Sequence, residues 1–265
     1  MAPSLSLTKE LLVFLGKSVL VLLESLLFTL ILVPRKKVAG EIVLITGAGS
    51  GLGRLLALRF AHLGSVLVLW DISQEGNEET RKMAQEAGAA GAYAYTCDCS
   101  RKEDVYRVAD QTYKAFLPAM IANDHGHLVC ISSAAGLTGI SGLADYCAGK
   151  FAAYGFAEAV LLETIANKQK GIKTTIVCPF FIKTGMFEGC ASRFSYMLPI
   201  LEPEYAVKKI VDAILKEQVY LYMPRFIYIM VFLKSFLPHK MGMLLAEFLG
   251  ALNFMDGFTG PKKKD

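Results

Sequence analysis

Glu41-Ile42-Val43-Leu44-Ile45-Thr46-Gly47-Ala48-Gly49-Ser50-Gly51-Leu52-Gly53 is the stretch that decides the fold. An apolar, largely β-branched run ends in glycines, and a helix-forming stretch from Leu52 to Leu63 follows at once. The pattern predicts a strand passing through a tight turn into a helix. Glycines at 47, 51 and 53 let the backbone turn sharply and approach a pyrophosphate. The first N–H groups of the following helix then point at that phosphate. Thr46, Gly47, Gly49, Ser50, Gly51, Leu52 and Gly53 are therefore candidate cofactor-binding residues. A glycine-rich turn alone is a weak sign. Here a second apolar strand, Ser65 to Trp70, closes on Asp71, 24 residues after Gly47. A carboxylate at that place accepts ribose hydroxyls and repels a 2′-phosphate, which predicts NAD as the cofactor rather than NADP.

The alternation continues outward from this unit. Gly76 to Ala87 reads as a polar-faced helix. Ala92–Cys97, His127–Ser132, Ile172–Cys178 and Tyr220–Met223 read as further strands, with helical stretches between them. Near-continuous apolar strands separated by helices predict an α/β fold, a Rossmann-like, doubly wound parallel sheet covered on both faces. Ser133 falls at the C-terminal end of its strand, where open α/β sheets bind ligands. Tyr146 and Lys150 stand at i and i+4, so they share one helix face. A neighbouring ammonium favours the phenolate and brings a tyrosine toward use as a general base. A serine hydroxyl can then orient the substrate oxygen. Ser133, Tyr146 and Lys150 are the candidate catalytic residues.

The chain has 265 residues, 54% of them hydrophobic, and a mean hydropathy of +0.42, which excludes a disordered chain. Its net charge of +4 comes from Arg35-Lys36-Lys37 and Lys262-Lys263-Lys264. Without those two tracts the balance turns negative, so nucleic acid is not an expected partner. Six cysteines sit mostly inside apolar runs and read as free thiols of a reducing compartment. No second Cys/His pair stands at ligand spacing from Cys97 and Cys99, so no metal site is expected. Leu11 to Val33 holds 17 Leu, Val, Ile or Phe among 23 residues. A helix of that length reaches ~34 Å, enough to cross a hydrocarbon core. Lys17 and Glu24 interrupt it, each costing ~2.5–3.5 kcal/mol at mid-membrane. A membrane helix is expected, with an interfacial helix as the alternative. The basic flank at 35–37 places the downstream domain in the cytosol. Phe226 to Leu237 is a second candidate membrane contact. The expected organisation is an anchor over 1–37, a dinucleotide-binding catalytic domain over 38–225 and a hydrophobic extension over 226–265.

Thr46-Gly47-x-x-x-Gly51-x-Gly53, Ser133 and Tyr146-Cys147-Ala148-Gly149-Lys150 together resemble the short-chain dehydrogenase/reductases. The N-terminal segment, its basic flank and Cys178-Pro179-Phe180-Phe181-Ile182-Lys183-Thr184-Gly185-Met186 resemble the membrane-bound retinol and 17β-hydroxysteroid dehydrogenase branch. Phe180 replaces the family's usual glycine, and Gly149 stands where a serine is usual. The resemblance implies NAD-dependent oxidation of a lipophilic alcohol, a retinoid or a steroid. It also implies that Asp98 contacts adenine and that Pro179, Ile182 and Thr184 close over the nicotinamide. Expected residence is the endoplasmic reticulum membrane or a lipid droplet, with a homodimer left open. The tail Lys262-Lys263-Lys264-Asp265 reads either as a dilysine retrieval signal or as a solvated charge run.

One segment is too short for this fold. Only residues 100–126 separate the third strand from the fourth. A helix, a strand and another helix are due there, and each crossover needs at least ~10–12 residues. Arg101 to Ile121 reads instead as one helix, with Pro118 late in it, and the resemblance places a junction of two helices at Gln111/Thr112. The resemblance implies that a central strand and a relay asparagine are missing. Two functional expectations follow: an active dehydrogenase, or an inactive, unstable relative that keeps part of the site.

Overall fold

The computed structural model describes residues 5–30, 33–97, 116 and 118–260. Asp98, Cys99, the junction at 111/112 and Lys262–Asp265 lie outside the described residues. Of the helix expected over Arg101–Ile121, residues 118–121 are helical.

Contacts divide the chain into Met1–Lys36 and Lys37–Asp265. The first unit holds α1 (Leu5–Leu30), a 26-residue helix. Among the described residues no helix is long and apolar enough to cross a membrane. The expected spanning helix is therefore a helix without demonstrated spanning character. Several of its large apolar side chains, Leu12, Phe14, Leu20 and Val21 among them, are exposed.

The second unit alternates strands and helices in the expected order. It runs β1 (Ile42–Thr46), α2 (Gly51–Ala61), β2 (Val66–Asp71), α3 (Gln74–Glu86) and β3 (Gly91–Thr96). Further along the chain come β4 (Gly126–Ile131), α4 (Ala144–Ala166), β5 (Ile172–Pro179) and α5 (Pro203–Leu215). β6 (Tyr220–Met223), α6 (Phe226–Phe236) and α7 (His239–Phe248) complete it. Every strand pairing among the described residues is parallel, with Thr46 opposite Trp70, Trp70 opposite Tyr95 and Ile131 opposite Val177. Parallel pairing requires crossovers, and α2, α3, α4 and α5 supply them.

Among the described residues the strands form two sheets rather than one. One has the order β1-β2-β3 and the other β4-β5-β6. β5, central in its sheet and covered on both faces, is buried at seven of its eight residues, consistent with an uninterrupted apolar run. β1 has β2 as its only strand neighbour among the described residues, and its Ile42 is 69% exposed. Where the two sheets begin, His125 Nε2 lies 3.0 Å from Glu41 Oε2.

The sheets nonetheless share a core. Leu67 and Leu69 of β2, Ala57 and Phe60 of α2, Ile210 and Ile214 of α5, and Val177 of β5 are buried in one cluster. Each large side chain so buried contributes ~1.5–3 kcal/mol. A second cluster gathers Ile176, Cys178, Phe180 and Phe181 with Ala157 of α4, Ile227 of α6 and Phe254. The stretch after residue 225 is thus part of the same compact unit.

Candidate active site

The phosphate loop begins where β1 ends. Gly47 has φ +68° and Gly51 φ +51°, in the left-handed region where a side chain is strained. Gly53 has no such φ but a tighter reason to be glycine. A Cβ there would lie 2.0 Å from Gly47 O and 2.7 Å from Gly47 C. The loop is tied to β2 by Ala48 N donating to Trp70 O at 3.1 Å. Ser50 caps α2 in extended backbone without a side-chain bond to the helix. The first turn of α2 therefore keeps its N–H groups directed into the loop.

Asp71 stands at the end of β2. Its Oδ2 accepts from Gly49 N and its Oδ1 from Ser73 N, each at 2.8 Å. The carboxylate is oriented by both bonds, and each oxygen keeps a further lone pair for a ribose hydroxyl. A Cβ on Gly49 would lie 2.8 Å from Asp71 Cγ, so the loop and the acid are fitted to each other.

Arg54 was not singled out by the sequence reading. Its guanidinium donates to Gly49 O, to Gly76 O at 3.1 Å and to Glu79 at 2.7 Å, while Nε reaches Thr80 Oγ1 at 2.9 Å. One side chain thus joins the phosphate loop to α3. A cation in the first turns of a helix opposes the macrodipole, and that was the signal available in the sequence.

The catalytic candidates come together around one cavity of about 190 Å³. Ser133, Tyr146 and Lys150 line it, along with Leu52 from the phosphate loop and Pro179, Ile182 and Thr184 from the segment after β5. Ser133 caps a short 3-10 turn, its Oγ accepting from Ala135 N at 3.2 Å and donating to Pro179 O at 3.3 Å. The neighbouring Ser132 Oγ donates to Lys150 O at 2.7 Å and pins α4 to the end of β4. A Cβ on Gly136 would lie 2.4 Å from that hydroxyl. Lys150 Nζ donates to Ile131 O at 3.2 Å and lies 5.6 Å from the centre of the Tyr146 ring.

The electrostatics differ from the expectation in one respect. Burial pushes Tyr146 above the ordinary tyrosine range, and a side-chain hydrogen bond with Ser133 opposes it. Burial also holds Lys150 below the ordinary lysine range. Desolvation thus outweighs the Ser133 bond, the expected stabilisation of the phenolate by Lys150 does not enter, and the site by itself keeps Tyr146 protonated at neutral pH. Asp71 lies against Gly49 and does not line this cavity. Of the aromatic residues at 180–200, Phe180, Phe181 and Phe187 line the cavity with Met186. Tyr196 is fully exposed, and Phe194 packs on Phe248 at 5.1 Å. The aromatic residues of this stretch therefore divide between pocket and surface.

Comparison with known proteins agrees with this geometry. The short chain dehydrogenase family matches residues 41–115 and 110–193, two stretches that meet at 110–115. Human epidermal retinol dehydrogenase 2 is 62% identical over 308 positions that cover the whole of both chains, and the mouse protein of that name is 60% identical. Since this chain has 265 residues, 43 of the 308 positions have no residue in it. Rat retinol dehydrogenase 10 is 37% identical, over 86% of this chain and 88% of its own. A short chain dehydrogenase/reductase from Burkholderia phymatum, solved with NAD, superimposes with a TM-score of 0.61 over 76% of this chain and 94% of its own. At 21% identity it shows the fold alone. With a glycine loop shaped for a pyrophosphate, a serine–tyrosine–lysine cavity at the strand ends and relatives matched along the whole chain, this protein belongs to the short-chain dehydrogenase family.

Proposed function

We propose that the site is that of an NAD-dependent dehydrogenase for a lipophilic alcohol of the retinol type. The observation that carries this is the shared cavity, in which Ser133, Tyr146 and Lys150 face Leu52 of the phosphate loop. The loop fits a dinucleotide, because the Gly53 position has no room for a Cβ and Asp71 is held with lone pairs to spare. NAD, when bound, supplies the acceptor for the hydride leaving the carbinol carbon. Thr46 to Gly53 hold its phosphates and Asp71 its ribose. Ser133 Oγ orients the alcohol oxygen; Tyr146 Oη first gives up its own proton to solvent, and the phenolate then takes the alcohol proton as the carbonyl forms. Lys150 Nζ, 5.6 Å from the ring centre, places a cation beside the phenolate once it forms.

Membrane association belongs to the same proposal. α1 presents exposed Leu, Val and Phe side chains, and Arg35-Lys36-Lys37 follows it closely. α6 and α7 leave Phe232, Phe236, Leu244 and Phe248 exposed. Together these favour residence on the cytosolic face of the endoplasmic reticulum or a lipid droplet. Deleting residues 1–33 should release much of the protein, and carbonate extraction separates an interfacial helix from a spanning one. α4 also exposes Phe151, Leu162 and Ile165, at helical spacing along one face suited to a second copy of the chain.

A second reading is that the 265-residue chain carries this site but turns over little. Three observations favour it: the two separate sheets, the two family matches meeting at 110–115, and the 43 positions without a residue. The deciding experiment measures NAD-dependent retinol oxidation by membranes containing the chain, its Tyr146→Phe variant, and a chain with the relative's additional stretch inserted between Gln111 and Thr112. Turnover abolished by Tyr146→Phe in the 265-residue chain supports the first reading. Turnover only after insertion supports the second. Absence from both chains overturns the assignment.

A further inference from the structure

The wall of the substrate cavity is built from two distant parts of the chain. Phe180, Phe181 and Phe187 line it, and Phe187 meets the Tyr146 ring edge-on at 5.5 Å. Behind them lies Phe254, buried, with its ring 5.5 Å from Phe180 and 6.1 Å from Phe181. Phe258 backs Phe187 at 6.3 Å. The segment carrying these two rings is fastened to the loop that carries the wall. Thr259 N donates to Glu188 O at 3.0 Å, and Cys190 Sγ lies 3.5 Å from Met255 Sδ. Gly189 and Gly257 approach so closely that a Cβ on Gly189 would lie 1.8 Å from Gly257 O.

The cavity is also small. Sites that enclose a drug-sized ligand span roughly 300–1,000 Å³, against about 190 Å³ here. A space of that size takes only the reacting end of a large lipophilic alcohol. The rest can leave past Met186, which lines the cavity and is 54% exposed. A slender chain ending in a primary alcohol can do this. A fused-ring alcohol presents its full width at the carbinol carbon and meets the phenylalanine wall.

Resting on the dehydrogenase reading above, we infer that Phe254 and Phe258 are positioning residues that set substrate width: they hold the phenylalanine wall in place, so the site accepts primary alcohols on slender apolar chains and excludes fused-ring alcohols. Neither residue touches the substrate. Removing the Phe254 ring leaves Phe180 and Phe181 free to move back, and the slot widens.

The test uses the full chain in detergent micelles. Retinol binding is followed by its fluorescence, 17β-estradiol binding by competition, and NAD binding by a separate titration. The parent chain should bind retinol at least tenfold more tightly than estradiol. Phe254→Ala should bring that ratio down at least threefold, Phe254→Leu should keep it, and NAD affinity should be unchanged in both. Phe258→Ala, at a part-exposed position, should lower the ratio in the same direction and serves if Phe254→Ala does not fold. A parent ratio near one overturns the inference, as does a ratio unmoved in every folded Ala variant. NAD binding without retinol binding overturns it while leaving the cofactor site standing. Loss of both ligands from the folded parent chain overturns the dehydrogenase reading, and the inference with it.

Discussion

Gly53→Ala is a sharp test of the phosphate loop, because the added methyl meets only backbone. The new Cβ would lie 2.0 Å from Gly47 O, 2.7 Å from Gly47 C and 3.2 Å from Ala48 Cα. No rotamer change relieves a clash with main-chain atoms. Ordinary contact is near ~3.5 Å, so the turn at Gly47 must open by roughly 1.5 Å. Overpacking of this kind costs ~1–3 kcal/mol of stability. The larger effect falls on the ligand, since a displacement of ~1 Å at a positioned group costs about 100-fold. NAD affinity should therefore fall by about 100-fold or more, equivalent to ~2.8 kcal/mol. Gly149→Ala is the matched control. Nothing lies within 4 Å of its Cβ position in α4, so the variant should melt at the same temperature or higher. The assay is a thermal melt of each full chain over an NAD titration, because a ligand of the native state raises the melting temperature. Binding of NAD by Gly53→Ala within threefold of the parent would refute the loop assignment.

Asp71→Ser should reduce the preference for NAD over NADP at least tenfold, because it removes the charge that repels a 2′-phosphate; tighter binding of NADP than NAD by the parent chain would contradict that role. Stability should also fall in alkali. Burial raises Cys178 from 9.0 to about 12 and Tyr220 from 10.0 to about 12, so the folded chain holds protons that the unfolded chain releases. That stability is fully present below pH 9 and is lost as the pH rises through these folded values, with the sign fixed by linkage. Chemical denaturation at pH 7, 9 and 10.5 checks it, and an unchanged midpoint at 10.5 would contradict the burial of these groups.

Parts of this fold were legible in the sequence because they are local. Strand, turn and helix from Ile42 to Ala61 follow one another without interruption, and their glycines answer to each other across six residues. Ser133, Tyr146 and Lys150 fall within one strand end and one helix, so spacing alone placed them together. What was not legible depends on tertiary surroundings. Arg54 acts through Gly76, Glu79 and Thr80, more than twenty residues away. The direction of the Tyr146 shift depends on how deeply the ring is buried, which no i, i+4 spacing reveals. Phe254 backs Phe180 from across more than seventy residues, and its sequence neighbourhood of Gly, Asn and Met carries no sign of a core position.

The division of the sheet bears on how firmly the site is assembled. The phosphate loop and Asp71 belong to β1-β2-β3, while Ser133, Tyr146 and Lys150 belong to β4-β5-β6 and its helix. In an undivided parallel sheet a continuous ladder of backbone hydrogen bonds would fix the distance between the two groups, because neighbouring strands stand ~4.8 Å apart. Among the described residues no such ladder joins β1 to β4. The halves are held instead by side chains: the shared cluster of α2 and α5, the Glu41–His125 contact, and Leu52 and Thr184 in the wall of the one cavity. Apolar packing is not directional, so it resists separation of the halves more than it resists sliding. Hydride transfer is sensitive to sliding, since it requires reacting atoms held ~3–3.5 Å apart. A chain can therefore keep every residue of the catalytic set, bind NAD on one half, and still lose rate through the register between the halves.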